Sequence, residues 1–177
     1  ALVAALLLNT MEVIQRHPGV VRSHASLWAQ RDRKLFVSTE GSHLEFNLLA
    51  VQGDCTATAV HDGRFASRSF NTPHLRTGYE LVRDADWARE GARIAEQAVE
   101  KVRAPAIDAG RYDLVLDPEH LSLTMHESCG HPSELDRALG YEANYAGTSF
   151  LTPDKRGTYR YGSPHVNLVA DNTEPGT

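Results

Sequence analysis

The sequence is poor in the residues that would tie it to an oxidising compartment, a membrane or a nucleic acid. Its 177 residues include two cysteines, Cys55 and Cys129, which are too few for a disulfide framework. No apolar run reaches the length of about 18 residues that a membrane-spanning helix needs. Basic residues number 18 and acidic residues 23, so the net charge of -5 argues against binding to nucleic acid mainly through phosphates. We therefore expect a cytoplasmic protein that contacts neither membrane nor nucleic acid directly.

The first part of the chain has the pattern of a helix followed by antiparallel strands. Apolar residues at helical spacing predict a first helix that ends at His17-Pro18-Gly19. Residues 20–70 then predict a meander of about four or five strands. Asp62-Gly63 is the strongest hairpin signal in this region. Further turns are expected at Arg31-Asp32-Arg33, Glu40-Gly41 and Gly53-Asp54.

The second part predicts two helices and two further strands. A helix over 84–102 carries one stripe of small residues, which suits close packing on a sheet. This stripe comprises Ala88, Gly91, Ala92, Ala95, Ala98, Val99 and Val102. Residues 112–116 read as a short strand buried on both faces, and 166–170 as another strand. Asp117 and Pro118 are typical of the N-cap and first position of a helix. The fold class is therefore α+β: an antiparallel β-meander with packed helices, and a motif helix after a short buried strand.

The stretch with the clearest chemistry is His126-Glu127-Ser128-Cys129-Gly130-His131. Imidazoles bind Zn²⁺ well, and a neighbouring glutamate can act as a general base. The two histidines are five residues apart, which on a regular helix turns them by ~500° and leaves the rings ~140° apart. One ion cannot take both unless the helix is distorted, and a π-bulge would bring five residues close to one turn. Gly130 and Pro132 are the expected place, because glycine is permissive and proline lacks an N–H.

Composition and spacing alone leave two interpretations of this stretch open. His126 and His131 could hold a metal, or they could be surface histidines on a polar helix face. Similarly, Glu134 and Asp136 could orient the histidines, or they could belong to a solvated face. Cys129 is best explained as a small buried residue. The remaining histidines are scattered and show no ligand spacing.

The surrounding sequence resembles the TldD/PmbA family, metallopeptidases once called modulators of DNA gyrase. The segment 113–142, DLVLDPEHLSLTMHESCGHPSELDRALGYE, matches the family's strand, its H-E-x-x-x-H helix, and a later Glu and Asp, here Glu134 and Asp136. Glu40-Gly41, the alanine-rich helix and the downstream segment 168–177 are also similar. The resemblance covers most of residues 15–177 and is most specific in the motif.

This resemblance implies a TldD-like catalytic subunit that hydrolyses unfolded or leader-like peptides. It implies that His126 and His131 bind Zn²⁺ and that Glu127 is the general base. The family's third protein ligand is a cysteine in a C-terminal half beyond this chain, and Cys129 does not match it. We therefore expect this chain by itself to be inactive. The resemblance also implies a partner, either a homologous PmbA/TldE-like subunit that lacks the motif or a second copy in a homodimer.

The chain is expected to be a single α+β portion, residues 1–177, of a longer TldD-like protein. Residues 1–110 would contain the first helix, the antiparallel strands and the alanine-rich helix. Residues 111–177 would contain a strand, the metal-motif helix and the following strands. A different class of function stays open: a noncatalytic regulatory or binding protein, of the gyrase-modulator type, with an unused metal motif.

Overall fold

The computed structural model describes residues 2–73, 75–171 and 173. Two parts of the sequence analysis lie outside the described residues: the scattered histidine His74, and the segment 172–177 except Thr173. The chain divides into two compact units, with a boundary between Ile107 and Asp108; the second unit is Asp108–Ala170. Each unit is described by itself. In the described residues, no helix combines the length and the apolar character needed to cross a bilayer.

The first unit is an antiparallel β-meander with helices packed on it. Its strands are paired in the order β1-β2-β3, and α1 and α3 pack against the sheet and against each other. The α+β class expected from the sequence is confirmed. The elements are α1 (Leu2–Gln15), β1 (Val20–Val37), β2 (His43–His61), β3 (Arg64–Asn71), α2 (Glu80–Arg83) and α3 (Trp87–Arg103).

The sheet has three long strands in the described residues instead of the four or five expected. The turns at Glu40-Gly41 and Asp62-Gly63 are confirmed, and Asp62 and Gly63 both have positive φ, 49° and 74°. The predicted turn at Arg31-Asp32-Arg33 is wrong, because these residues lie within β1 and pair with β2. Gly53-Asp54 likewise lies within β2. Polar side chains in this exposed part of β1 and β2 interact across the two strands. For example, Arg31 Nε donates to Asn47 Oδ1 at 3.0 Å.

The core of the first unit lies between α3 and alternate residues of β2. Val51, Cys55, Ala57 and Ala59 are buried on the helix-facing side of the strand, as expected for a half-buried strand.

The predicted helix over 84–102 is confirmed as α3, which Asp86 caps by accepting a hydrogen bond from Arg89 N at 3.1 Å. The predicted stripe of small residues is wrong at two positions. Ala88 and Ala92 are exposed, whereas the buried set of α3 is Trp87, Gly91, Ile94, Ala95, Ala98, Val99 and Val102.

The second unit consists of short helical segments. These are α4 (Pro118–Met125), a π-helical turn (His126–Gly130), a 3₁₀ turn (His131–Ser133), α5 (Leu135–Ala138) and a second 3₁₀ turn (Pro153–Lys155). The strands expected at 112–116 and 166–170 are both wrong, since neither segment is paired. Val115 is fully exposed. An apolar run favours burial, but a strand needs a hydrogen-bonding neighbour, and the described residues offer none to these segments.

Candidate metal centre

Helix α4 carries the motif and begins at a well-defined N-terminus. The carboxylate of Asp117 accepts a hydrogen bond from Glu119 N at 2.9 Å, and Pro118 occupies the first turn. Both features were expected from the sequence. A cap of this kind satisfies one of the four backbone N–H groups that a helix start leaves unpaired. The start of α4 therefore fixes the phase of the helix eight residues before His126.

The helix changes from α to π geometry at the motif. His131 N donates to the carbonyl of His126, five residues earlier, where an α-helix would use the carbonyl of Glu127. Pro132 has no N–H and cannot continue the α ladder. The distortion predicted at Gly130 and Pro132 is confirmed. Its effect is to bring residues five apart onto one side of the helix.

The carbonyls released by this distortion are satisfied by serine hydroxyls. Ser133 Oγ donates to the carbonyl of Gly130 at 2.9 Å, and Ser149 Oγ donates to the carbonyl of Pro132 at 2.6 Å. Helix ends normally leave such carbonyls without an intrahelical partner. Two side chains thus stabilise the irregular end of the helix.

The π turn brings the predicted metal residues together. The ring centroids of His126 and His131 lie 4.2 Å apart, with ring planes at 67°. Glu127 Oε2 lies 4.0 Å from His131 Nε2. One donor atom from each of the three side chains lies within 4.8 Å of the others. The structure therefore brings His126 beside His131, a pair that a regular helix would separate, and keeps Glu127 next to both.

Glu134, which the sequence left open, contacts one of these histidines directly. Its Oε1 lies 2.6 Å from His131 Nδ1, and its Oε2 lies 3.2 Å from Arg137 Nη2. Arg137 also approaches Glu142, with 3.7 Å between Nη2 and Oε2. Sequence reasoning missed Arg137 and Glu142. The three-residue spacing of His131, Glu134 and Arg137 was the available signal, because side chains at i and i+3 are neighbours on a helix.

Other candidate residues do not join the group. Asp136 Oδ1 accepts a hydrogen bond from the backbone N of Arg137 at 2.9 Å. Cys129 is half-buried and is a free thiol. Across the residues that the structure describes, the metal-competent group contains His126, Glu127 and His131 and has no fourth member.

The donor set suits a metal of the zinc type. The imidazoles of His126 and His131 are common zinc ligands, with Zn–N distances of about 2.0–2.1 Å, and a nearby glutamate is a common general base. Donors on one ion must therefore lie less than about 4.2 Å apart. The donor atoms of this group all lie within 4.8 Å of one another, which is close to this distance. His126 and Glu127 are exposed and His131 is half-buried, so small side-chain rotations can close the difference.

The sequence of this chain is similar to those of several proteins named metalloproteases. A metalloprotease of Methanothermobacter thermautotrophicus is 31% identical over 121 residues, which cover 68% of this chain and 26% of the relative. A metalloprotease of Synechocystis is 27% identical over 157 residues, covering 89% and 32%. A third, from Methanocaldococcus jannaschii, is 25% identical over 144 residues, covering 81% and 30%.

These similarities concern part of each relative. The chain spans about a quarter to a third of the length of the curated relatives it matches. No family model matches the chain. No solved structure matches it either. The chain is thus similar to proteins named metalloproteases and carries a group of side chains that can bind a metal.

Proposed function

We propose that this chain is the metal-binding part of a metal-dependent peptidase. The observation that carries the proposal is the π turn, which brings two imidazoles and a glutamate together at the motif. Similarity to proteins named metalloproteases supports the same reaction class. A solvated helix face with surface histidines would need no such distortion.

In this proposal His126 and His131 hold the metal and Glu127 handles protons. A bound metal of the zinc type polarises a peptide carbonyl and makes water more acidic. Glu127 would accept a proton from the attacking water and return it to the leaving amine. Its carboxylate is 61% exposed, so solvent and an extended peptide can reach it.

The finer assignments follow from the family resemblance of the motif segment. We propose a TldD-like catalytic subunit that uses Zn²⁺, acts on unfolded or leader-like peptides and takes a third ligand, a cysteine, from outside this chain. A homologous PmbA/TldE-like subunit, or a second copy, would be its partner. The greater length of the metalloprotease relatives supports a longer protein. Two unpaired cysteines are compatible with the cytoplasm.

The decisive experiment replaces Glu127 by glutamine in the full-length protein. Glu127→Gln should keep its metal, measured by elemental analysis, and lose turnover of an unfolded fluorogenic peptide by at least ~100-fold. Glu96→Gln, an exposed carboxylate on α3, is the matched control and should behave as wild type. Undiminished turnover would remove Glu127 from the mechanism. Wild-type protein that binds no metal would favour the noncatalytic alternative.

A further inference from the structure

We propose that Glu134 is a positioning residue for the metal ligand His131 and that Arg137 holds Glu134 in place. The proposal rests on the metal-binding function above and adds two residues to it. Glu134 selects which nitrogen of His131 carries the proton and which is left for the metal. The motif His126, Glu127 and His131 does not by itself specify this choice.

The two nitrogens of His131 face different neighbours. Nδ1 lies 2.6 Å from Glu134 Oε1, whereas Nε2 lies 4.0 Å from Glu127 Oε2. An ionised carboxylate can only accept a hydrogen bond, so Nδ1 must carry the hydrogen. In a neutral imidazole the other nitrogen, Nε2, then has a free lone pair. That lone pair is on the nitrogen nearer Glu127, on the side where His126, Glu127 and His131 come together as the candidate metal ligands and base.

Arg137 restrains the carboxylate that makes this choice. Its Nη2 lies 3.2 Å from Glu134 Oε2, so both oxygens of Glu134 are engaged. The Arg137 side chain is only 18% exposed, and Nη2 also lies 3.7 Å from Glu142 Oε2. Among the described residues its Nε is buried without a hydrogen-bond partner. The anchoring of this guanidinium therefore depends on its Nη2 edge.

The backbone directs Glu134 toward His131. Glu134 is extended, with φ −61° and ψ 122°, between the 3₁₀ turn and α5. Its N–H donates to the carbonyl of His131 at 3.2 Å. This hydrogen bond closes the turn just after the motif, and the Glu134 carboxylate contacts the ring of His131. Restraint is needed here because the His131 side chain is 32% exposed and would otherwise sample several orientations.

The first test measures the tautomer of His131 without metal. Full-length protein labelled with ¹⁵N at histidine is examined by NMR, and His131→Gln assigns the signal. Wild type should show the proton on Nδ1. Glu134→Ala removes the acceptor, so the proton should redistribute toward Nε2. Glu134→Gln should also move the proton toward Nε2, because its one carbonyl oxygen accepts from Arg137 and its NH2 group then faces Nδ1.

The second test measures zinc affinity by competition with a chromophoric chelator. Glu134→Ala should weaken binding about 10- to 100-fold, the usual cost of losing a group that orients a metal ligand. Glu134→Gln should lose a similar amount, and Arg137→Gln should lose less, because Glu134 then still accepts from Nδ1. Arg137→Lys should restore part of the loss, since lysine keeps one charge contact but not the planar fork. The absorption spectrum of bound Co²⁺ should shift in the same order.

Asp136→Asn is the matched control. It removes one negative charge two residues from Glu134, and its carboxylate bonds the Arg137 backbone instead of a ring. It should leave tautomer and affinity unchanged. The proposal is wrong if Glu134→Ala behaves like Asp136→Asn in the tautomer measurement. Failure of the proposed function would show differently, as wild-type protein that binds no zinc while its tautomer still responds to Glu134.

Discussion

The two units of this chain are stabilised in different ways. In the first, thirteen hydrophobic residues between Ile14 and Val102 are buried in one cluster. In the second, none of the described residues reaches that degree of burial, and Leu114 is 75% exposed. The first unit is thus held by packing, and the second by a helix cap, a π turn and hydrogen bonds between side chains. The candidate metal centre lies in the second unit.

This difference explains why the candidate site depends on named polar contacts. Without a packed core beneath it, the position of His131 is set by the π turn and by Glu134. Regions with few buried contacts open at lower free-energy cost than core elements. Changes of one residue should therefore disturb the first unit by unpacking it and the second by breaking a specific contact.

The largest expected difference comes from truncating one apolar side chain in each unit. Ile14 is completely buried and Leu123 is 60% exposed. Ile14→Ala should lower the free energy of unfolding by about 2–5 kcal/mol, because it removes buried methyl groups and leaves a cavity. Leu123→Ala should change it by about 0.5 kcal/mol or less. Urea titration followed by circular dichroism measures both. Equal losses would contradict the contrast between the units.

Local signals predicted the backbone of the site well. Asp117 and Pro118 begin α4 because capping depends on nearby residues. The five-residue spacing of His126 and His131 predicted a π-bulge, on the condition that both rings bind one ion. The contact between Glu134 and His131 stayed open, since it depends on how far the chain turns after the distortion.

Non-local pairing limited the prediction of the sheet. In β2 the buried residues are odd-numbered from Val51 to Ala59, but the apolar residues Leu44, Phe46 and Leu48 are even-numbered. The apolar side chains thus change face along one continuous strand. Gly53 and Asp54 are typical turn residues, so read locally they predict a break in the strand. Only the register with β1 shows that the strand continues.

A smaller effect should appear at alkaline pH through the core of the first unit. Burial, followed by the charges of Asp54 and Glu90, raises the pKa of the Cys55 thiol from 9.0 to about 11. Above pH 9 the unfolded chain releases this proton while the folded chain keeps it, so stability falls as pH rises from 9 to 11. The free energy of unfolding should fall by at most about 3 kcal/mol over this range. Cys55→Ala should lack this component, which the difference between the two urea titration series isolates. Parallel pH profiles would show that the thiol does not contribute.

The smallest expected effects come from adding one methyl group to a glycine in each unit. At Gly53 a Cβ would lie 2.6 Å from Trp87 Cη2. The Trp87 ring cannot easily move, because it is 4% exposed and its Nε1 donates to the carbonyl of Val82 at 2.6 Å. Gly53→Ala should therefore cost about 1–3 kcal/mol, as overpacking does. Tryptophan fluorescence during urea unfolding reports this loss, since both tryptophans, Trp28 and Trp87, belong to the first unit.

The matched change in the second unit should have the opposite sign. Gly130 has helical dihedral angles, φ −59° and ψ −64°, and a Cβ there would make an ordinary contact of 3.4 Å with His126 Nδ1. Alanine is favoured over glycine in a helix by up to about 1 kcal/mol, so Gly130→Ala should be neutral or slightly stabilising. Circular dichroism of the helical signal during urea unfolding is the measurement. A loss as large as that of Gly53→Ala would mean that the π turn requires glycine for space, and that the motif is packed as tightly as the core of the first unit.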